Sequence, residues 1–197
     1  MGAVFQSLGR TVVAGLVLLV IIIVLVGATT GSWIHVDHAW SAFFMRWLHI
    51  LSGVMWIGLL WYFNFVQIPS MPKIPDEQKP AISKVIAPAA LFWFRWAALS
   101  TVITGLLLAS MNGYIGPALS LSDPARAIGI GMWLGLIMAF NVWFIIWPNQ
   151  KKALGIVTVE PAEKTKAARI AMLASRFNTM ASIPMLYCMA AQSHGGF

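Results

Sequence analysis

Acidic residues are scarce in this chain: six Asp and Glu stand against thirteen Lys and Arg, a formal net charge of +7 over 197 residues. Charged residues of both signs make up only 10%, where a soluble domain carries about a quarter. Cysteine is scarcer still. Cys188 is alone, which excludes an intramolecular disulfide and any cysteine-based zinc or iron–sulfur site. No Asp or Glu falls inside the long apolar runs, so they hold no acidic side chain for proton or cation coupling. The excess of positive charge does not point to nucleic acid. The basic residues sit in short segments between apolar runs rather than along one face of a polar helix.

What the chain has is hydrophobic length. Residues 11–36, 47–72 and 127–150 carry no charged residue, and residues 85–110 and 170–191 carry one arginine each. About 20 apolar residues cross a hydrocarbon core. The chain therefore reads as an all-α membrane protein, one domain over residues 1–197, with five spans near 11–29, 41–66, 86–110, 127–147 and 169–191. The first run exceeds the 7–15 apolar residues of a signal peptide and reads as a span. Nine basic residues (Arg10, Lys73, Lys79, Lys84, Lys151, Lys152, Lys164, Lys166, Arg169) fall on one side of this topology, and only Arg46 and Arg126 on the other. The positive-inside rule puts the N-terminus in the cytoplasm and the C-terminus in the periplasm. Trp33, Trp40, Trp47 and Trp147 lie near span ends, as an aromatic belt does. The proline-rich segment 69–80 cannot be regular helix throughout. Pro161 is placed to start a helix leading into the last span.

Four histidines, His35, His38, His49 and His194, all fall on the outer side. His49 lies inside the second span, and helical spacing puts His49, Gly53 and Trp56 on one face. An imidazole with a glycine one turn away suits a flat macrocycle; the same pair also suits close helix packing. A six-coordinate heme needs a second ligand, for which His194, His38, Met185 and Met189 are the outer candidates. His35, Asp37 and His38 form a weak metal pattern, with solvated interfacial residues as the plainer reading. Arg95 and Arg176 lie within spans, where an arginine costs about 2.5–3.5 kcal/mol on insertion scales. With Asn64, Asn141 and Asn178 they make a candidate pocket for an anionic group or substrate; snorkelling and helix-to-helix hydrogen bonds are the alternative. Pro184 frees the Met180 carbonyl and favours a kink. Gly131 and Gly135 have the small-xxx-small spacing of close helix packing, within the chain or between chains.

Three segments, Trp47–Gly58 (WLHILSGVMWIG), Phe140–Lys151 (FNVWFIIWPNQK) and Ala174–Met185 (ASRFNTMASIPM), together resemble the N-terminal membrane domain of bacterial membrane-bound urate hydroxylases, the urate oxidase N-terminal domain family, over residues 41–194. The first segment is also similar to a helix of copper-resistance D-type proteins and of the heme-dependent membrane protoporphyrinogen oxidase. The resemblance implies a redox protein of the bacterial inner membrane, and from the latter oxidase it implies heme b on His49. In the full-length family a cytochrome c domain accepts electrons. The chain has no Cys-x-x-Cys-His attachment sequence, so a stand-alone version needs a separate cytochrome as partner.

Three functions follow. The first is a membrane oxidoreductase or electron-transfer protein. The second is a non-catalytic accessory subunit of a larger membrane complex or a homo-oligomer, which suits ten Trp and eleven Phe. The third, a small transporter or metal-handling protein, lacks intramembrane acids and discontinuous helices.

Overall fold

A computed structural model describes residues 2–196, all of them helix, turn or irregular chain with no strand. It divides into two units, Met1–Ser41 and Ala42–Phe197.

In the first unit α1 spans Leu8–Thr30 after a short helical turn, Gly2–Phe5. α1 ends where Gly31 takes φ 74°, which returns its N–H to the Gly27 carbonyl at 2.9 Å. The helix is apolar all round; Val12, Leu16, Val20 and Leu25 are each about half exposed. A helix of that kind needs an apolar surrounding. Its buried residue is Gly27, where a Cβ would lie 2.8 Å from the Trp33 indole. At the end of the unit Asp37 caps the next helix: its Oδ1 accepts the Trp40 N–H at 2.8 Å and its carbonyl accepts the Ser41 N–H at 3.0 Å.

That next helix is α2, His38–Lys73. α3 is Lys79–Met111, α4 the short Ile115–Leu119, α5 Arg126–Ala153 and α6 Pro161–His194. α1, α2, α3 and α5 are long and apolar enough to cross a membrane. α6 is as long, but Arg176, Asn178, Thr179 and Ser182 dilute its apolar content.

Prolines shape three of these helices without breaking them. A wide, π-helical turn occupies Tyr62–Gln67 ahead of Pro69, Ile82–Ile86 ahead of Pro88, and Asn141–Ile146 ahead of Pro148. Proline has no N–H to return to the carbonyl four residues back and clashes with it. Lengthening the preceding turn moves that carbonyl away and lets the helix continue. The expected proline-rich break is confined to residues 74–78, and α2 reaches Lys73.

Packing in the second unit is inverted relative to a water-soluble protein. Phe65, Val54, Val85, Phe144 and Ile183 are each about two-thirds exposed, whereas Asn178 and Ser182 are 0% exposed. The core joins α2, α3, α5 and α6 through Trp56, Leu60, Phe94, Met138, Val142 and Met185. Phe63 and Phe94 meet edge to face at 5.7 Å. Three hydrogen bonds of polar side chains join the helices. Asn141 Nδ2 donates to Asn178 Oδ1 at 2.9 Å, Asn178 Nδ2 donates to the Met138 carbonyl at 2.9 Å, and Asn64 Nδ2 donates to Ser175 Oγ at 2.8 Å.

Gly131 is a close-packing glycine, with a Cβ there 3.0 Å from Cys188 Cβ on α6. Gly129 packs harder, against the backbone carbonyl of Ala118 on α4. Gly129→Ala is therefore expected to destabilise the protein by about 1–3 kcal/mol, since backbone must move to admit the methyl group. Thermal unfolding in detergent micelles measures this, and an unchanged midpoint would mean that α4 is not seated on α5.

Candidate functional site

His49 sits on the face of α2 that meets α3. Its Nδ1 lies 2.9 Å from the Thr101 carbonyl and 3.3 Å from Thr104 Oγ1. A carbonyl only accepts. The Thr104 hydroxyl donates its one hydrogen to the Ser100 carbonyl at 2.6 Å, so toward His49 it too accepts. Nδ1 must therefore carry the proton. In the neutral ring Nε2 is then the unprotonated nitrogen with a free lone pair, and it has no hydrogen-bond partner among the described residues. Gly105 makes the ring's position available: a Cβ there would fall 2.8 Å from His49 Cε1 and 3.1 Å from Nδ1. One turn on, Ser52 Oγ and Ser100 Oγ are 2.8 Å apart and hold the same two helices together.

The imidazole lines a cavity of about 470 Å³ formed by α2, α3, α5 and α6. Its walls are almost wholly apolar, and its volume falls within the roughly 300–1,000 Å³ of small-molecule and cofactor sites. Gly53 and Trp56 line it with His49, so the face inferred from helical spacing is assembled as expected. Met185 and Met189 of α6 and Met132 of α5 line it too. Trp61 lines it and is fixed by its Nε1 donating to Ser182 Oγ at 3.0 Å. The Trp56 Nε1 is buried without a partner.

Two further wall residues, Gly58 and Gly135, have no atom within 4 Å of where a Cβ would be. A helical glycine costs about 0.5–1 kcal/mol relative to alanine. At Gly105 and Gly131 crowding from neighbours explains that cost. At Gly58 and Gly135 no neighbour among the described residues does, and both line the cavity. Gly135 therefore packs on no other helix among the described residues of this chain.

The remaining candidates are placed elsewhere. His194 is exposed, and its Nδ1 takes the Ala190 carbonyl of its own helix at 3.0 Å. His35, Asp37 and His38 lie in the first unit, all exposed, with Asp37 engaged as a helix cap. Among the described residues no group of three or more His, Cys, Asp or Glu is placed to hold a metal ion, so that trio is not brought together. The anion pocket is not assembled either. Asn141 and Asn178 are buried against each other, while Arg176, two residues from Asn178 and so on the opposite side of α6, is exposed. Arg95 lies over the Trp147 ring, its Cζ 3.4 Å from the centroid. Beyond α3, burial raises the Tyr114 phenol above its ordinary pKa, opposed by the positive charge of nearby Arg46.

Thr101, Thr104 and Gly105 are the site residues that sequence reasoning missed. Their signal is a hydroxyl-rich turn with a glycine in the middle of an apolar run. The chain has no significant match among curated proteins or solved structures. Residues 116–196 match the family model described as urate oxidase N-terminal. That span contains the second and third of the resembling segments and leaves the His49 segment outside it. Over residues 116–196 the chain is thus similar to the urate oxidase N-terminal family, which supports the resemblance carried by those two segments.

Proposed function

We propose that this chain is a multi-pass redox protein of the bacterial inner membrane, holding a heme b on His49 and exchanging electrons with a cytochrome. α6 is the fifth crossing, with Ser175, Asn178 and Ser182 turned inward and Leu173, Met180, Ile183 and Tyr187 outward. The N-terminus is cytoplasmic and the C-terminus periplasmic, which puts the cavity toward the outer face.

The observation that carries the reading is the state of His49: its Nδ1–H is held by a backbone carbonyl, and its Nε2 lone pair faces an apolar cavity. This is the tautomer that ligates a metal, oriented by the backbone contact that commonly fixes ligand histidines. The walls suit a flat apolar macrocycle, with Gly53, Gly58 and Gly135 giving it surface without side chains. Met185 and Met189 are the thioethers available as a second ligand. Arg46, exposed one turn before His49 on the same face, is available to carboxylates at the mouth. When bound, the group supplies one-electron exchange. The chain's part is to fix the imidazole, exclude water through the apolar walls, and set the environment around the iron.

Absorption spectra of the detergent-purified protein, oxidised and dithionite-reduced, test this. Wild type expressed with heme available should show a Soret band and a reduced α-band. His49→Ala should lose both while keeping its helical circular dichroism. A colourless wild type would remove the redox reading and leave an accessory subunit of a larger complex.

A further inference from the structure

Away from the cavity, two cations converge on one indole. Arg95 Cζ of α3 stands 3.4 Å from the Trp147 ring centroid, and Lys151 Nζ, one turn on along α5, stands 5.7 Å from it. Each is within cation–π range, but the two charges repel one another. No carboxylate offsets them: the ion pairs among the described residues are Lys79–Asp76, Arg126–Asp123 and Lys152–Glu163. The site also has unused donors. Arg95 Nη1 is buried with no hydrogen-bond partner, and so is the indole N–H of Trp143, one turn before Trp147 on the same face of α5. Trp143 packs edge to face on Trp96, the neighbour of Arg95, at 5.5 Å. Arg95, Trp143, Trp147 and Lys151 thus lie along a single α3–α5 seam.

We infer that this seam binds a phosphate, and that the phosphate belongs to the headgroup of an anionic phospholipid. A phosphate offers several acceptor oxygens and a negative charge, which answers both the orphaned donors and the uncompensated cations. The source is a lipid because the seam is bordered by Phe92, Trp96, Phe140 and Phe144, each about half exposed or more. Acyl chains would cover that apolar surface, while a free ion in water would leave it bare. The seam lies toward the Lys151–Lys152 end of α5, where a headgroup layer meets the helix. This site is separate from the His49 cavity and does not depend on what fills that cavity.

Native mass spectrometry of the full chain in neutral detergent tests the inference, with phosphatidylglycerol, phosphatidylcholine and inorganic phosphate as probes. Wild type should retain phosphatidylglycerol and not phosphatidylcholine, and millimolar inorganic phosphate should not displace the lipid. Arg95→Gln should weaken retention about tenfold or more, the effect of losing one charge-assisted hydrogen bond. Lys151→Gln, a change at the helix periphery, should weaken it less and provides the test if Arg95→Gln does not fold. Equal retention of both lipids, or wild-type retention in the folded variants, would overturn the site. Inorganic phosphate that binds with the same Arg95 dependence and displaces the lipid would assign a soluble anion and overturn the lipid source.

Discussion

Gly105→Val is expected to abolish cofactor retention without touching a ligand. Even a Cβ at residue 105 would stand 2.8 Å from His49 Cε1, and valine adds two methyl groups beyond it. The imidazole cannot retreat and keep its Nδ1–H on the Thr101 carbonyl at 2.9 Å, so either the bond or the helix spacing gives way. Overpacking of this kind costs about 1–3 kcal/mol, and the ring that would ligate iron is the part displaced. Gly105→Ala should show the same defect more weakly. Gly135→Leu is the informative contrast. Among the described residues no packing neighbour lies within 4 Å of a Cβ there, so the unliganded protein should fold as well as wild type or better, because the helix sheds a glycine. It should nonetheless lose the Soret band, since leucine fills the cavity. A Gly105→Val protein with a wild-type spectrum would mean that His49 is a packing residue.

The second large effect is expected at Asn178. Its side chain is 0% exposed and bridges Asn141 and the Met138 carbonyl. Asn178→Leu removes one acceptor and one donor at once and strands the Asn141 amide in the core. The cost of leaving buried groups unpaired is about 1–3 kcal/mol, although intramembrane hydrogen bonds measured singly average about 0.6 kcal/mol. Because two bonds end on this side chain, unfolding in mixed micelles should show a loss of about 2 kcal/mol. The double variant Asn141→Leu/Asn178→Leu should be less destabilised than the sum of the singles, since it strands no amide. Strict additivity would show that the two asparagines do not share a bond.

The long helices were legible because hydrocarbon thickness imposes a length on charge-free runs. Their ends were less so. The run expected at 41–66 belongs to a helix that continues to Lys73, because bilayer width limits apolarity and not hydrogen bonding. The His49, Gly53 and Trp56 face was legible from period alone, since all three lie on one helix. Gly105 was not, because which residue of α3 faces His49 depends on how two helices slide past each other, and single-helix periodicity carries no such register. Arg176 and Asn178 are not brought to one pocket for a reason already present in the chain: they are two residues apart, and helical residues at that spacing point to opposite sides. Arg95 kept its place as an interior cation by finding an aromatic ring, a partner that a search for carboxylates overlooks.

The wide turns ahead of Pro69, Pro88 and Pro148 also bear on how this chain tolerates change in length. A turn closed between residues five apart holds one residue more than its α-helical counterpart, so each acts as an absorbed insertion. Deleting one residue from Asn141–Ile146 would return that stretch to the ordinary repeat and leave everything after it on the same face of α5. Trp147 and Lys151 would keep the seam they share with Arg95, while the carbonyl four residues before Pro148 would again meet the proline ring. A change of one residue at such a turn would thus be taken up locally without re-aiming either end of the helix, and the proline that follows sets what the shorter form costs.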